Sequence, residues 1–322
     1  MHKRMAFVNE VPWHGLGVKV PPTVSAAEMI EKAGLNWTVA KVPAPGAVED
    51  RRGRWSRYAL QRDPVGGETG PVLLAVVSDA YQVLQNSEAF AFFEPFIATE
   101  LAQFETAGAL GQGERVWVLA RLRDPMLIAP DDAIDRFLLL SNSHDGRGAV
   151  TVRFTPIRVV CQNTLSLALR GGDTVVRVNH SKRMQERLTA DQFTKLADLA
   201  QETFGHANSM FQAFAARSLN QKEFAEYLAK LFPPTEAQRA KGKEPERWQR
   251  IREILDDQRL TPRRTSNTLW ALYNAVVHDE DFRRADQTPD RRLERVWFGS
   301  GADLKLKALK YAGDLVGMPQ AA

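Results

Sequence analysis

The residues of this chain that are best suited to chemistry lie between Leu138 and Arg183. Their side chains are rich in hydrogen-bond donors and positive charge and poor in acids: Asn142, His144, Asp145, Arg147, Arg153, Arg158, Asn163, Asn179, His180, Lys182 and Arg183. Such a set suits phosphates and bases better than it suits catalysis. Because polar side chains are costly to bury without partners, we expect these residues to converge on a site or on a fixed hydrogen-bond network.

Residue spacing gives little support to metal or nucleophile chemistry. The histidines and Cys161 show neither the i,i+4 helical spacing nor the CxxC spacing of known metal sites. Cys161 lies in an apolar segment, where a thiol is most often a core residue. The sequence has neither a Walker A motif nor the carboxylate pattern of a Mg²⁺-dependent nuclease. We therefore predict no metal and no cofactor, and we favour binding over catalysis while leaving enzymatic activity open.

The turn with the sequence SNSHDG, from Ser141 to Gly146, has two interpretations. As a scaffold, Asp145 and Gly146 form a tight turn, while Arg158 and Asn163 brace the junction between a sheet and a helix. As a site, His144 and Asp145 present their side chains to a ligand. The sequence leaves both interpretations open.

Aromatic residues that could stack on unpaired bases accompany basic residues in the first third of the chain. Together with the stretch above they give the predicted nucleic-acid-binding residues: Arg54, Trp55, Arg57, Tyr58, Tyr81, His144, Asp145, Arg153, Arg158, Asn163, His180, Lys182 and Arg183. Of these, Arg158, Lys182 and Arg183 are expected to contact phosphates.

Composition is that of a globular protein that can bury a large core. The 322 residues are 44% hydrophobic and 25% charged, with a formal net charge of +4. No apolar run approaches the roughly 20 residues that a membrane span needs, and the single cysteine suits a reducing compartment. We expect a cytoplasmic protein. Between Lys230 and Lys310, 18 basic residues face 13 acidic ones, which favours a polyanionic partner, although a solvated helical surface has the same composition.

Periodicity predicts an α+β fold with a mostly antiparallel sheet. A helix over Thr23–Ala33, capped by Thr23 or Ser25, precedes three strands at Trp37–Val42, Arg54–Gln61 and Val72–Val77. The third is a continuous apolar run, as expected of a strand that is covered on both faces. A helix over Ser87–Leu101 follows, with Asn86 as its cap and a kink or early end at Pro95, and it completes a β-β-β-α core.

Two β-hairpins come next, and the rest of the chain is helical. The first hairpin joins Ala102–Leu110 to Arg115–Leu122, and the second joins Phe137–Ser141 to Ala149–Thr155. The remaining predicted elements are a helix over Ile157–Leu169, a strand over Thr174–Val178, helices over Thr189–Arg217, Asn220–Leu231, Thr265–Val277 and Leu304–Leu315, and a linker or exposed helix end over Thr235–Lys243. We predict an α+β core domain over residues 1–185 and a helical region over 186–322.

Several motifs resemble, in the same order, the phage/plasmid-like protein family known as domain of unknown function 932. They are PWHGLG at Pro12–Gly17, DAYQVLQN at Asp79–Asn86, FETAGALGQGERVWVLARL at Phe104–Leu122, the SNSHDG turn, RVVCQNTL from Arg158, LWALYNAV at Leu269–Val276 and FGSGADLKLKAL at Phe298–Leu309. The resemblance implies a phage or plasmid origin, and it supplies no chemistry.

The β-β-β-α order more weakly resembles the core of phage single-strand annealing proteins of the Red-beta and RecT type. That likeness implies an ATP-independent recombination protein that forms homo-oligomers and holds single-stranded DNA in a basic groove. We therefore predict a single-stranded-DNA-binding, annealing-type protein. The alternatives are a phage- or plasmid-encoded enzyme of nucleic-acid metabolism, with a site around His144, Asp145 and Arg158, and an interaction module without chemistry of its own.

Overall fold

The computed structural model describes residues 5–9, 17–130, 132–158, 163–164, 175–181, 190–257, 259–260, 266–284 and 288–317. Most of the Pro12–Gly17 motif, together with Cys161, Lys182 and Arg183, lies outside these residues, so the predictions made for them stay predictions.

The chain forms two compact units, each assembled from more than one segment. Unit 1 comprises the described residues of Met1–Arg123, Phe137–Arg153 and Val175–Leu199. Unit 2 comprises those of Asp124–Arg136, Phe154–Thr174 and Ala200–Ala322. The sequence, in contrast, predicts one division near residue 185.

The fold is α+β with mostly antiparallel sheets and a helical C-terminal region, as predicted. The described strands are β1 (Met5–Phe7), β2 (Val18–Lys19), β3 (Val39–Pro43), β4 (Tyr58–Arg62), β5 (Val72–Val77), β6 (Ala102–Leu110), β7 (Arg115–Leu122), β8 (Met126–Ala129), β9 (Asp132–Ser143), β10 (Val150–Arg158), β11 (Asn163–Thr164) and β12 (Val175–Val178).

The larger sheet has the strand order β11–β10–β9–β7–β6–β1–β2, with β12 paired to β10 and β8 paired to β9. Its centre is the predicted hairpin of β6 and β7, in which Leu110 pairs with Arg115. The connecting turn contains Gly111 and Gly113, both at positive φ, a backbone conformation that glycine adopts without steric cost. Strand β9 then pairs with β7, so that Asn142 lies opposite Val116 and Ser143 lies opposite Arg115. The end of β9 therefore carries the SNSHDG turn to the edge where the β6–β7 turn lies.

A second, three-stranded sheet of order β3–β4–β5 completes the predicted β-β-β part of unit 1. The expectation that Val72–Val77 is covered on both faces is wrong, because Leu73 and Val76 are 56% and 51% exposed. This strand has a neighbour on one side only within the sheet, and it presents part of its apolar sequence to solvent. The predicted strand over Arg54–Gln61 begins only at Tyr58, and Arg54 and Trp55 belong to the preceding loop.

The predicted helix over Ser87–Leu101 is two short helices, α2 (Asn86–Ala91) and α3 (Glu94–Ala98), and the break follows from Pro95, which lies in the first turn of α3. The prediction that Asn86 caps the helix is wrong. Gln85 is the N-cap, and its N–H donates to Glu88 at 2.7 Å. Asn86 is instead buried, and its side-chain amide donates to the carbonyl of Leu35.

The predicted helix over Ile157–Leu169 is wrong in the part of it that the structure describes. Strand β10 continues to Arg158, and its last two residues pair with Thr164 and Asn163 of β11. Pro156 lies between the residues of β10 that pair with β12 and those that pair with β11. Strand pairing therefore overrides the local helical pattern.

The described α-helices besides α2 and α3 are α1 (Ala26–Lys32), α4 (Ala190–Ala216), α5 (Gln221–Leu231), α6 (Glu236–Ala240), α7 (Glu246–Asp256), α8 (Leu269–His278), α9 (Pro289–Phe298) and α10 (Ser300–Leu315). Ser25 caps α1 and Asn220 caps α5, each through a capping box, as predicted. Helices α7 and α9 were not predicted, because their sequences are strongly charged. None of the described helices combines the length and the apolar character that a membrane span requires.

Unit 2 has an aromatic core around α8, whose ten residues are all buried. The ring of Phe211 in α4 lies 4.8 Å from that of Trp270, and Phe214 packs edge-on against Tyr273. The indole N–H of Trp270 donates to Asp132 at 2.8 Å. The apolar sequence of α8 is thus explained by its burial on all sides.

A buried ion cluster follows α8 in a single π-helical turn, Asp279–Arg283. Its three consecutive acids are almost fully buried, and each has a cationic partner. Asp279 pairs with Arg247 and Arg250, Glu280 pairs with Arg247, Arg284 and Arg295, and Asp281 pairs with Lys305. A buried charge is tolerated only when it is paired, so this part of the basic C-terminal surplus serves the interior of unit 2.

The Lys305–Asp281 pair provides a test of this assignment, because its Nζ–Oδ1 distance is 3.0 Å and both side chains are buried. Lys305→Met should lower the free energy of unfolding by about 3–5 kcal/mol, since it removes the partner of a buried carboxylate. Adding Asp281→Leu should recover part of the loss. Denaturant melts of the three proteins check this, and a double variant that is less stable than Lys305→Met would contradict it.

Candidate functional site

The loop between β3 and β4, residues 44–57, is here called the basic hairpin loop. Asp50 organises it: the Asp50 Oδ1 atom accepts the backbone N–H groups of Arg52 at 2.8 Å and Arg54 at 3.0 Å. Gly53 provides the positive φ that the tight turn needs. The Arg54 guanidinium returns to the same carboxylate at 2.8 Å. The loop is thus ordered by its own side chains.

Three arginines of this loop, Arg51, Arg52 and Arg57, are exposed and have no ion-pair or hydrogen-bond partner among the described side chains. Trp55 is half-buried, and Val48 is exposed beside it in sequence. The loop has four arginines and two acids, a net charge of +2. Free guanidinium groups next to an accessible aromatic ring can bind phosphates while the ring stacks on a base.

Tyr58, at the base of the loop, is used by the fold. Its hydroxyl accepts the backbone N–H of Trp55 at 3.2 Å. The Lys41 ammonium lies 4.4 Å from the centre of its ring and donates to the carbonyls of Asp79 and Tyr81. Tyr58 therefore braces the basic hairpin loop, and Trp55 is the aromatic residue of the predicted pair that is placed to meet a ligand.

A second group, here called the buried polar cluster, comprises Tyr81, Asn86, Asn142, His144 and His180. These residues lie in or around the irregular segment 79–85, whose backbone needs hydrogen-bond partners because no strand or helix supplies them. Asn142 donates to the carbonyl of Leu84 at 2.8 Å, and the Tyr81 hydroxyl donates to the carbonyl of Ser143 at 2.9 Å. The expected convergence of polar residues therefore occurs for these members, as a hydrogen-bond network in the interior of unit 1.

His144 is completely buried in this cluster. Its Nε2 atom lies 3.3 Å from both Asn86 Oδ1 and Asn142 Nδ2, and the Trp37 ring packs against its imidazole at 5.6 Å. Among the described residues, its Nδ1 atom has no hydrogen-bond partner. Burial, reinforced by the nearby His180, lowers the pKa of His144 to about 3, so the ring is neutral at pH 7.

His180 is held in one tautomer by the backbone. Its Nδ1–H group donates to the carbonyl of Gln82 at 2.9 Å, so the lone pair is on Nε2, which has no partner among the described residues. The Tyr81 ring stacks on it at 4.5 Å. Burial lowers the pKa of His180, although the Gln82 hydrogen bond and the Asp145 charge act in the opposite direction.

Asp145 acts within the SNSHDG turn. Its Oδ1 atom accepts the N–H groups of Arg147 at 2.7 Å and Gly148 at 2.9 Å, while Gly146 adopts a φ of 71°. Partial burial raises the pKa of Asp145, but the adjacent Ser143 hydroxyl, the hydrogen bonds from the Arg147 and Gly148 N–H groups and the charge of Arg115 outweigh this and lower it. The carboxylate therefore does what the scaffold interpretation expects of it.

The remaining predicted residues lie apart from these two groups or are incompletely described. Arg153 is half-buried on β10, opposite Val175. Arg158 and Asn163 pair with each other through their backbones at the β10–β11 junction. Tyr81, His144 and His180 are buried, so their side chains support the fold and do not form a binding surface. Arg54, Trp55 and Arg57 lie together in the basic hairpin loop.

Sequence reasoning missed Asn86 in the buried polar cluster, Lys41 and Trp37 beside it, and Arg51 and Arg52 in the loop. The loop residues had a visible signal, since RRGRWSR places four arginines in seven residues. Lys41 and Asn86 had none, because their partners are backbone carbonyls 38 and 51 residues away.

The chain belongs to the family described as domain of unknown function (DUF932), whose sequence model matches residues 73–297. The matched range includes the whole irregular segment and the SNSHDG turn, and it begins after the basic hairpin loop. No curated protein and no solved structure matches the chain. Among the described residues, no group of three or more His, Cys, Asp or Glu side chains is arranged to hold a metal ion.

The buried histidines predict an acid-sensitive fold. Because the pKa of His144 is lower in the folded chain than in the unfolded chain, the unfolded state alone takes up a proton as pH falls below about 6.5. His144→Gln should therefore reduce the loss of unfolding free energy between pH 7 and pH 5 by about 2 kcal/mol. Urea melts at both pH values measure this, with the exposed His206→Gln as control, and an unchanged pH dependence would contradict the assignment.

Proposed function

We propose that this protein binds single-stranded DNA as an annealing-type recombination protein that works without ATP. The observation that supports the proposal is the basic hairpin loop, which places Arg51, Arg52 and Arg57, unpaired among the described residues, close in sequence to the partly exposed Trp55. Phosphate binding by free arginines is favourable because it releases condensed counterions. Stacking needs an unpaired base, so Trp55 favours a single strand over a duplex.

The order β3–β4–β5–α2 adds to the proposal, since it resembles the core of Red-beta and RecT annealing proteins. We take the chain to be of phage or plasmid origin, to act in the cytoplasm and to work as a homo-oligomer, as such proteins do. The resemblance is based on the order of the secondary-structure elements, whereas the argument from the loop is based on its side chains. The two lines of support are therefore independent.

The arginines of the C-terminal helices are a weaker basis for DNA binding than their number indicates. Five cations serve the buried acids of the π-helical turn, and Arg252 and Arg259 pair with Glu244 and Asp257. A paired guanidinium releases few counterions when DNA arrives, because its charge is already neutralised. The excess of basic residues counted in the sequence is therefore smaller at the surface of unit 2.

The triple variant Arg51→Ala, Arg52→Ala, Arg57→Ala tests the proposal. It should bind labelled oligothymidylate more weakly, and the slope of log affinity against log salt should fall by about 2, since each single-strand contact contributes roughly 0.7. Trp55→Ala should weaken binding about tenfold or more through lost stacking. Fluorescence anisotropy over a salt series measures both.

The matched control removes the same charge from exposed sites of unit 2, with Lys241, Lys243 and Lys310 changed to Ala. It should bind as the wild type does. Equal affinity of the wild type for duplex and single strand, or equal losses in the two triple variants, would refute the proposal. A wild type that binds no nucleic acid would favour an interaction module.

A second candidate is a phage- or plasmid-encoded enzyme of nucleic-acid metabolism with a site around His144, Asp145 and Arg158. It is favoured by His144 Nδ1 and His180 Nε2, two buried nitrogens that lack partners among the described residues. Buried groups of this kind are common at functional sites. Labelled DNA incubated with divalent metals decides between the two: a product that His144→Gln abolishes supports the enzyme.

A further inference from the structure

The SNSHDG turn ends in an arginine that the buried polar cluster does not use. Arg147 is exposed, and its guanidinium has no partner among the described residues. Its own backbone N–H, in contrast, is bound to Asp145 at 2.7 Å. The turn thus fixes the backbone of Arg147 and leaves its charge toward solvent.

The start of the turn is held from the interior. The backbone N–H of His144 donates to the carbonyl of Glu114 at 2.6 Å, and the Tyr81 hydroxyl donates to the carbonyl of Ser143. The His144 side chain is enclosed by Trp37, Asn86 and Asn142. Because buried, hydrogen-bonded groups hold a single conformation, the residues before Arg147 form a rigid base.

The turn lies at the same end of the small sheet as the basic hairpin loop. A Cβ atom added to Gly146 would lie 2.9 Å from the Val77 side chain. Val77 is paired with Tyr58, the first residue after the loop. Neighbouring strands are about 4.8 Å apart, so the backbone of Arg147 lies roughly 10–15 Å from the base of the loop. One strand of nucleic acid can span that distance and meet both groups of charges.

We infer that Arg147 contacts a phosphate of the same strand that binds the basic hairpin loop, and that His144 and Asp145 are positioning residues for it. This inference rests on the proposed single-strand binding and extends its surface across the small sheet. It also combines the two interpretations of the SNSHDG turn. The turn is a scaffold, and the residue that follows it, Arg147, contacts the ligand.

The test compares Arg147→Ala with Arg123→Ala. Arg123 is an exposed arginine of unit 1 just beyond β7, the strand whose other end, at Arg115, lies near the turn. Its guanidinium lies 3.6 Å from Glu100, and because both side chains are exposed this pair is weak and leaves most of the charge of Arg123 to solvent. Arg147→Ala should weaken binding of oligothymidylate several-fold and lower the salt slope by about 0.7, whereas Arg123→Ala should leave both unchanged. Both proteins should melt as the wild type does, because neither guanidinium is buried.

Two Asp145 variants separate positioning from charge. Asp145→Asn keeps the oxygen that accepts the Arg147 and Gly148 N–H groups, so it should bind at least as tightly as the wild type. Asp145→Ala removes that acceptor, so it should bind more weakly than Asp145→Asn. Its salt slope should also be closer to that of Arg147→Ala. Equal affinities of the two Asp145 variants would overturn the positioning role.

The outcomes also separate this inference from the proposed function. If the loop triple variant loses affinity while Arg147→Ala binds like the wild type, the inference is wrong and the proposed function stands. If the wild type itself shows no salt-dependent binding of oligothymidylate, the proposed function fails and the inference fails with it.

Discussion

Unit 1 depends on the need to satisfy the backbone of a partly buried irregular segment, residues 79–85. A buried carbonyl or N–H group without a partner costs about 1–3 kcal/mol, and this segment has no ladder or helix to supply partners. Side chains supply them instead: Asn142 bonds to Leu84, His180 bonds to Gln82, and Lys41 bonds to Asp79 and Tyr81. Because these residues come from β3, β9 and the end of β12, the segment fixes both sheets of unit 1 at once.

The same constraint explains why the polar side chains of the SNSHDG turn are directed into the interior while the neighbouring charged side chains are exposed. His144 is enclosed, whereas Arg147, three residues later, is exposed. The β3–β4 connection repeats this division, with Tyr58 bracing the loop and Arg57 left free. In unit 2, Arg247, Arg250 and Arg295 form ion pairs with buried acids, so their charges are not available to bind a polyanion. The arginines that the proposal uses for binding therefore lie on unit 1.

The elements that local pattern determines could be predicted from the sequence. The strands β6 and β7 match their predicted bounds, since alternation and a glycine turn define a hairpin locally. The helix expected over Ile157–Leu169 failed because Ile157 and Arg158 pair with Thr164 and Asn163 as strand residues, and a helical pattern in the sequence does not reveal that pairing. The convergence of Asn142, His144 and His180 was predictable from the cost of burying polar groups. Their orientation was not, because it depends on Leu84 and Gln82, distant residues whose carbonyl groups carry no signal in the sequence.

The central claim is that one end of the small sheet in unit 1 binds a single strand. Hydrogen exchange of the full-length protein, measured by mass spectrometry with and without oligothymidylate, tests it most directly. The account predicts added protection in peptides that cover residues 46–57 and 145–148, with little change in the helices from Gln221 to Leu315. Protection confined to those helices, or no protection anywhere at saturating oligonucleotide, would contradict it.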